Sequence, residues 1–148
     1  MARTKKVKEE PKTYRIDRNY KIWTLATEHG LTTKEITENE DPKIYTKSVV
    51  NTVLRTLKRY KNKKDVKNYF ELAFALKDFC LVNGFDPDKY VISLANALYI
   101  KEVFSIAQLK KVKIVDFEEN ILNGKQMNAA GKTAKAILNG YYVSIKKR

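Results

Sequence analysis

Apolar residues recur at helical spacing along most of the chain, which predicts a mainly α, single-domain helical bundle. The clearest apolar stripe lies in residues 46–60 and consists of Val49, Val50, Val53, Leu54, Leu57 and Tyr60. Residues 66–82 are apolar around most of a helical circumference, so we expect the central core helix there, with Phe74 inside the core. A first short helix around residues 22–26 is predicted to end before Gly30.

Residues with strong capping preferences mark where further helices begin. Short polar side chains favour the N-cap position, and proline is tolerated in the first helical turn. The predicted caps are Thr32 or Thr33, Asp65, Asp86 followed by Pro87, and Ser105 paired with Gln108.

The last third of the chain mixes helical and strand signals. Residues 111–117 and 141–145 are rich in β-branched or aromatic side chains, which favours two short strands able to pair as a small two-stranded β element. Between them, residues 125–138 form a predicted small-residue helix that is weakened by Gly131.

The predicted organisation has three parts. Residues 1–13 contain almost no apolar side chains and are expected to be a disordered basic arm. Residues 14–140 form the helical domain, with core helices in 65–124. Residues 141–148 are a basic C-terminal tail or an edge strand.

Positive charge is concentrated in three blocks. The 148 residues carry a net charge of +13, with +5 in residues 1–21, +7 in 47–67 and +6 in 125–148. The two intervening segments are slightly acidic. Such segregation is typical of a surface that binds a polyanion, and solvated helix faces with two basic tails are the alternative.

The composition argues against several classes of enzyme. One Cys (Cys80) and one His (His29) exclude a disulfide framework and a Cys/His zinc site within one chain, and we expect Cys80 in the core. Gly131-Lys132-Thr133 lacks the earlier glycine of a phosphate-binding loop. We therefore predict a non-enzymatic protein without cofactor or metal.

The expected setting is cytoplasmic: a host cytoplasm, or a virion if the protein is phage-encoded. No apolar run approaches the roughly 20 residues of a membrane span, so no membrane partner is expected. Lys outnumbers Arg 24 to 6, as AT-rich coding produces, which points weakly to a phage, a mobile element or an AT-rich bacterium.

The polar side of helix 46–60 carries the candidate site. Its side chains follow one another at helical spacing as a continuous stripe that reaches Asn62, and no acidic residue occurs between Lys43 and Lys64. Arg and Asn side chains recognise bases, while Lys and hydroxyl groups contact phosphates. The predicted nucleic-acid-binding residues are Lys47, Ser48, Asn51, Thr52, Arg55, Lys58, Arg59 and Lys63.

Two segments of residues 22–60 follow a helical pattern in sequence order: Leu31-Thr32-Thr33-Lys34-Glu35-Ile36 and Ser48-Val49-Val50-Asn51-Thr52-Val53-Leu54-Arg55-Thr56-Leu57-Lys58-Arg59. They look like the second and recognition helices of a helix-turn-helix or winged-helix DNA-binding domain, so residues 22–60 resemble that family. The connection from Asn39 to Thr46 is longer than in that family and has no glycine. The resemblance implies that Ser48, Asn51, Thr52 and Arg55 face the bases.

Two classes of function remain open. The first is a DNA-binding protein of a phage or mobile element, such as a transcriptional regulator or a packaging-recognition subunit, with duplex DNA as the favoured partner. The second is a structural or assembly protein of a virion or complex, whose basic tails contact nucleic acid or an acidic partner. A homo-oligomer or a virion protein partner is compatible with either class.

Overall fold

The computed structural model describes residues 13–60 and 62–147, so almost all of the predicted arm 1–13 lies outside the described residues. Helices dominate this part of the chain and no strand occurs in it, which confirms the mainly α prediction. The elements are α1 (Arg15–Thr27), α2 (Thr33–Asn39), α3 (Lys47–Leu57), α4 (Lys63–Val82), α5 (Pro87–Ile100), α6 (Ile106–Lys111), α7 (Ile114–Asp116) with its π-helical continuation Phe117–Leu122, α8 (Lys125–Ala130) and α9 (Lys132–Lys146).

Three of the four predicted caps are confirmed. Thr32 accepts a hydrogen bond from the Glu35 amide, and the Glu35 carboxylate accepts one from the Thr32 amide, so α2 begins with a complete capping box. Asp86 caps α5, where Pro87 is the first helical residue. Ser105 caps α6 by accepting from the Gln108 amide.

The predicted cap of α4 is wrong by three residues. Asn62 Oδ1 accepts a hydrogen bond from the Asp65 amide at 2.9 Å, so the helix begins at Lys63 and Asp65 lies in its first turn. Asn and Asp both favour the N-cap position, and here Asn62, which comes first in the chain, is the N-cap. The carboxylate of Asp65 is still favourable there, next to the positive end of the helix dipole.

Helix α4 is the centre of the core, as the sequence predicts. It packs against α1, α5 and α9 and buries Val66, Tyr69, Phe70, Leu72, Ala73, Leu76 and Cys80. Phe74 departs from the prediction, because its side chain is only partly buried and packs edge-on against the exposed ring of Tyr20.

The two predicted strands are helical. Residues 141–145 belong to α9, where Tyr141, Tyr142 and Ile145 are buried on one face. The Tyr142 ring stacks on Phe117 with centroids 3.8 Å apart, and its hydroxyl donates to the Val112 carbonyl. The apolar positions of 141–145 fit a helix as well as a strand, and the contacts of Tyr142 favour the helix. Residues 111–117 likewise form the end of α6, α7 and the start of the π-helical turn.

Gly131 divides the predicted helix 125–138 into α8 and α9. Its φ of +97° and ψ of 165° lie in a region that residues with a Cβ rarely adopt. The glycine therefore ends one helix and changes the chain direction before the next.

Polar contacts join the N-terminal helices to the rest of the bundle. The Arg15 amide donates to Asp88 Oδ1 at 2.8 Å, and Lys77 Nζ lies 2.9 Å from Asp17 Oδ1. Helix α1 also contacts α2, α3, α4 and α5, so residues 22–60 share one core with residues 65–124.

Candidate nucleic-acid interface

The apolar side of helix α3 packs against neighbouring helices, so its polar side faces solvent. Val50, Val53 and Leu57 are buried against α1 and α2. Thr46 caps the helix by accepting from the Val49 amide at 3.1 Å. The outward face therefore carries Lys47, Ser48, Asn51, Thr52 and Arg55, all of which are exposed.

Asn51 is less free than the other residues of this face. Its Oδ1 accepts a 2.9 Å hydrogen bond from the hydroxyl of Thr33, which is the first residue of α2. The contact ties the beginning of α2 to the middle of α3. The sequence prediction missed Thr33, which was considered only as a cap, because nothing in the local pattern relates it to a residue 18 positions later.

The predicted stripe does not continue to Asn62, because α3 ends at Leu57. Lys58 is the C-cap and still has helical dihedral angles, so it extends the exposed face by one residue. Beyond it the chain turns, and Asn62 becomes the N-cap of α4. The predicted helix 46–60 is therefore three residues too long at its C-terminal end.

Arg59 and Lys63 are exposed but engaged by neighbouring side chains. The Arg59 guanidinium lies 4.3 Å from the centroid of the Tyr99 ring on α5 and donates to Asn96 Oδ1 at 2.9 Å. Lys63 Nζ is 3.3 Å from Glu28 Oε2. These two cations are held by α5 and by the end of α1, whereas Arg55 and Lys58 form no ion pair with any described residue.

The acidic residues near α3 have partners of their own. Glu35 completes the cap of α2, and Glu40 lies 2.8 Å from Lys21, where its hydrogen bond raises the pKa of that lysine. Residues 43–64 contain no carboxylate, so the field along the outward face of α3 is positive.

A groove of about 800 Å³ opens beside this face, between the end of α1, α3 and the beginning of α4. We call it the α1–α3–α4 groove. Its apolar lining consists of Trp23, Ala26, Leu54, Leu57, Tyr60 and Val66, and its exposed cations are Arg55, Lys58 and Lys63. No local sequence pattern indicates this groove, because Trp23 and Val66 lie on separate apolar stripes that only the fold brings together.

Metal binding, cysteine chemistry and membrane crossing would each require specific features in the described residues. In residues 13–60 and 62–147, no group of three or more His, Cys, Asp and Glu residues is placed to hold a metal ion. Cys80 is fully buried, as predicted, and its burial raises the pKa of the thiol to about 11. No helix in these residues has the length and apolar character needed to cross a membrane.

Comparison with known proteins does not assign a family: no protein-family model, no curated protein and no solved structure matches the chain.

Proposed function

We propose that this protein is a non-enzymatic DNA-binding protein that places the outward face of α3 in the major groove. The observation that carries the proposal is the exposed face Lys47–Ser48–Asn51–Thr52–Arg55–Lys58, with no acidic side chain in residues 43–64. Helix α3 has 11 residues, which corresponds to about 16 Å, enough to span several base pairs.

The packing around α3 supports this role. Helices α1 and α2 lie behind it and bury its apolar stripe, so the polar face can approach DNA without exposing the core. Helices α2 and α3 follow each other in the order of a helix-turn-helix pair, with residues 40–46 as the connection. We therefore propose that α3 is the recognition helix and that the protein acts as a regulator or a packaging-recognition subunit.

Arg55 and Lys58 have different expected roles. The guanidinium of Arg55 suits bidentate contact with guanine, whereas the ammonium of Lys58 offers a point charge to phosphate. Arg59 and Lys63 are secondary contacts in this proposal, since both already have partners.

The test is a binding titration on a duplex site selected from random sequences by the purified protein. Arg55→Ala should cost about 1–3 kcal/mol on that site and relax the preference at one base position. Lys58→Ala should weaken all duplexes alike and reduce the slope of log affinity against log salt by about one unit.

Lys89→Ala is the matched control, because Lys89 is exposed on α5 and directly follows Asp86, Pro87 and Asp88. It should leave DNA affinity unchanged. Failure to enrich any sequence, or equal effects of all three substitutions, contradicts recognition by α3.

One observation favours the alternative of an assembly protein. Ile114 and Val115 are adjacent on α7 and more than half exposed, at 56% and 57%. Contiguous exposed apolar side chains are typical of protein contacts. If this function is correct, Ile114→Asp should reduce self-association in sedimentation analysis and leave DNA affinity unchanged.

A further inference from the structure

The interior of the α1–α3–α4 groove is not used by the proposed DNA contact. In that contact phosphates and base edges would reach the exposed side chains of α3, whereas Trp23, Leu57 and Val66 are buried behind them. Its volume of about 800 Å³ falls in the range of small-molecule sites, which are mostly apolar with a few polar groups at defined positions.

The charges at the rim of the groove favour a negatively charged ligand. Of the three cations there, Lys63 is compensated by Glu28 at 3.3 Å, whereas Arg55 and Lys58 have no acidic partner in the described part of the chain. Asn51 and Asn62 add polar groups at the same rim. A ligand with an apolar body and a negative group complements both parts of the groove.

The basic segments of the chain are unsuitable occupants. Residues 1–12 contain five Lys or Arg residues against two Glu, so they carry the same sign of charge as the rim. A second copy of the protein, with its net charge of +13, is disfavoured for the same reason.

We propose that the α1–α3–α4 groove binds a small amphipathic anion: an aliphatic or aromatic body that occupies the space lined by Trp23, Ala26 and Leu54, with one carboxylate, phosphate or sulfonate held by Arg55 and Lys58. The ligand shares Arg55 and Lys58 with the proposed DNA contact, but its binding does not depend on DNA binding.

The test uses 1-anilinonaphthalene-8-sulfonate, an aromatic body with one sulfonate, in a fluorescence titration with the full chain. We expect saturation at one site and displacement by decanoate, but not by decylammonium, which has a similar chain and the opposite charge. Indole-3-acetate is the aromatic competitor. Its affinity relative to that of decanoate shows whether the groove prefers an aromatic or an aliphatic apolar group. Displacement by an acidic peptide but by neither small anion would overturn the proposal in favour of a protein partner.

Three variants locate the site. Lys58→Gln and Arg55→Gln should each weaken binding about two- to fivefold, as expected for an exposed ion pair. Ala26→Leu fills the groove and should abolish binding, with unchanged circular dichroism as the check on folding. Lys89→Gln is the control and should bind as the wild type does.

Two further results would overturn the proposal. One is equal displacement by decanoate and decylammonium, because the rim cations then have no role. The other is a probe affinity that Lys58→Gln and Arg55→Gln leave unchanged, because both side chains are exposed and their loss does not threaten the fold. Neither result bears on the proposed DNA contact, since no nucleic acid is present in the assay.

Discussion

The Thr33 hydroxyl donates a 2.9 Å hydrogen bond to Asn51 Oδ1, so the atom of Asn51 that would accept from adenine in the proposed contact also holds α2 against α3. Bidentate recognition of adenine requires the oxygen and the nitrogen of the amide together. Arg55 lies one turn further along the helix and forms no ion pair among the described residues, so no carboxylate there competes with the proposed DNA contact. We therefore expect Arg55 to contribute more to base recognition than Asn51.

The Thr33–Asn51 contact can be measured as a coupling energy. A double-mutant cycle of Thr33→Val and Asn51→Ala, followed by urea unfolding, should give about 0.5–1 kcal/mol, because both groups are partly solvated. Strict additivity of the two stability changes would show that the hydrogen bond contributes nothing.

Arg55 and Arg59 form a matched pair with opposite expected effects. Arg59→Ala removes a cation–π contact with Tyr99 and a hydrogen bond to Asn96, so it should lower the free energy of unfolding by about 1 kcal/mol. Arg55→Ala should leave that free energy nearly unchanged and lower DNA affinity. Thermal unfolding and DNA titration of both variants check this, and a larger loss of DNA affinity from Arg59→Ala than from Arg55→Ala would contradict it.

The local pattern of the sequence was sufficient for the part of the site that lies on one helix. The spacing of Val50, Val53 and Leu57 determines which side of α3 is buried, and hence that Arg55 is exposed. Contacts between distant segments carry no such local signal. The partner of Arg59 is Asn96, 37 positions away on α5, and only the packed fold brings these side chains together.

The same limitation explains the incorrect strands near the C-terminus. A short run such as residues 141–145 satisfies both a strand and a helix pattern, because β-branched and aromatic side chains pack well in either. What decides is the stacking of Tyr142 on Phe117, two residues from different segments. The predicted burial of Phe74 is wrong for a related reason. When a helix is apolar on most sides, its sequence does not show which apolar positions lie at the edge of the core.

Substitutions of Phe70 and Phe74 test whether Phe74 lies at the edge of the core. Phe70 is 1% exposed, whereas Phe74 is only partly buried, so Phe70→Ala leaves the larger cavity. We expect Phe70→Ala to cost about 3–5 kcal/mol in the free energy of unfolding and Phe74→Ala to cost less. Urea unfolding of both variants provides the measurement. An equal or greater loss from Phe74→Ala would restore Phe74 to the centre of the core.

The buried thiol of Cys80 predicts a loss of stability at alkaline pH. Burial raises the pKa of Cys80 from 9.0 to about 11, so between these values the unfolded chain releases a proton that the folded chain retains. Stability therefore falls as the pH rises, and Cys80 should account for about 1 kcal/mol between pH 8 and pH 10.

The comparison with Cys80→Ala isolates the thiol from Tyr69, whose pKa burial raises to about 12. Urea unfolding at pH 8 and pH 10 should show a smaller pH-dependent loss in the variant than in the wild type. Identical losses in the two proteins would assign the whole effect to other groups.

DNA and the groove ligand should compete, because both proposals assign them the same two cations, Arg55 and Lys58. If binding is mutually exclusive, decanoate at ten times its dissociation constant should raise the apparent Kd for duplex DNA about tenfold. Thermodynamic linkage requires DNA to weaken decanoate binding by the same factor. Fluorescence anisotropy of a labelled duplex measures the first effect and probe displacement measures the second.

Ala26→Leu is the decisive control for this competition. Ala26 lines the groove on α1 and is not part of the outward face of α3, so the variant should bind DNA as the wild type does while losing its response to decanoate. Decylammonium should have no effect on either protein. If decanoate saturates the wild-type groove and the Kd for DNA stays constant, ligand and DNA do not share Arg55 and Lys58, and the effect of Lys58→Gln on each affinity shows which of the two proposals is wrong.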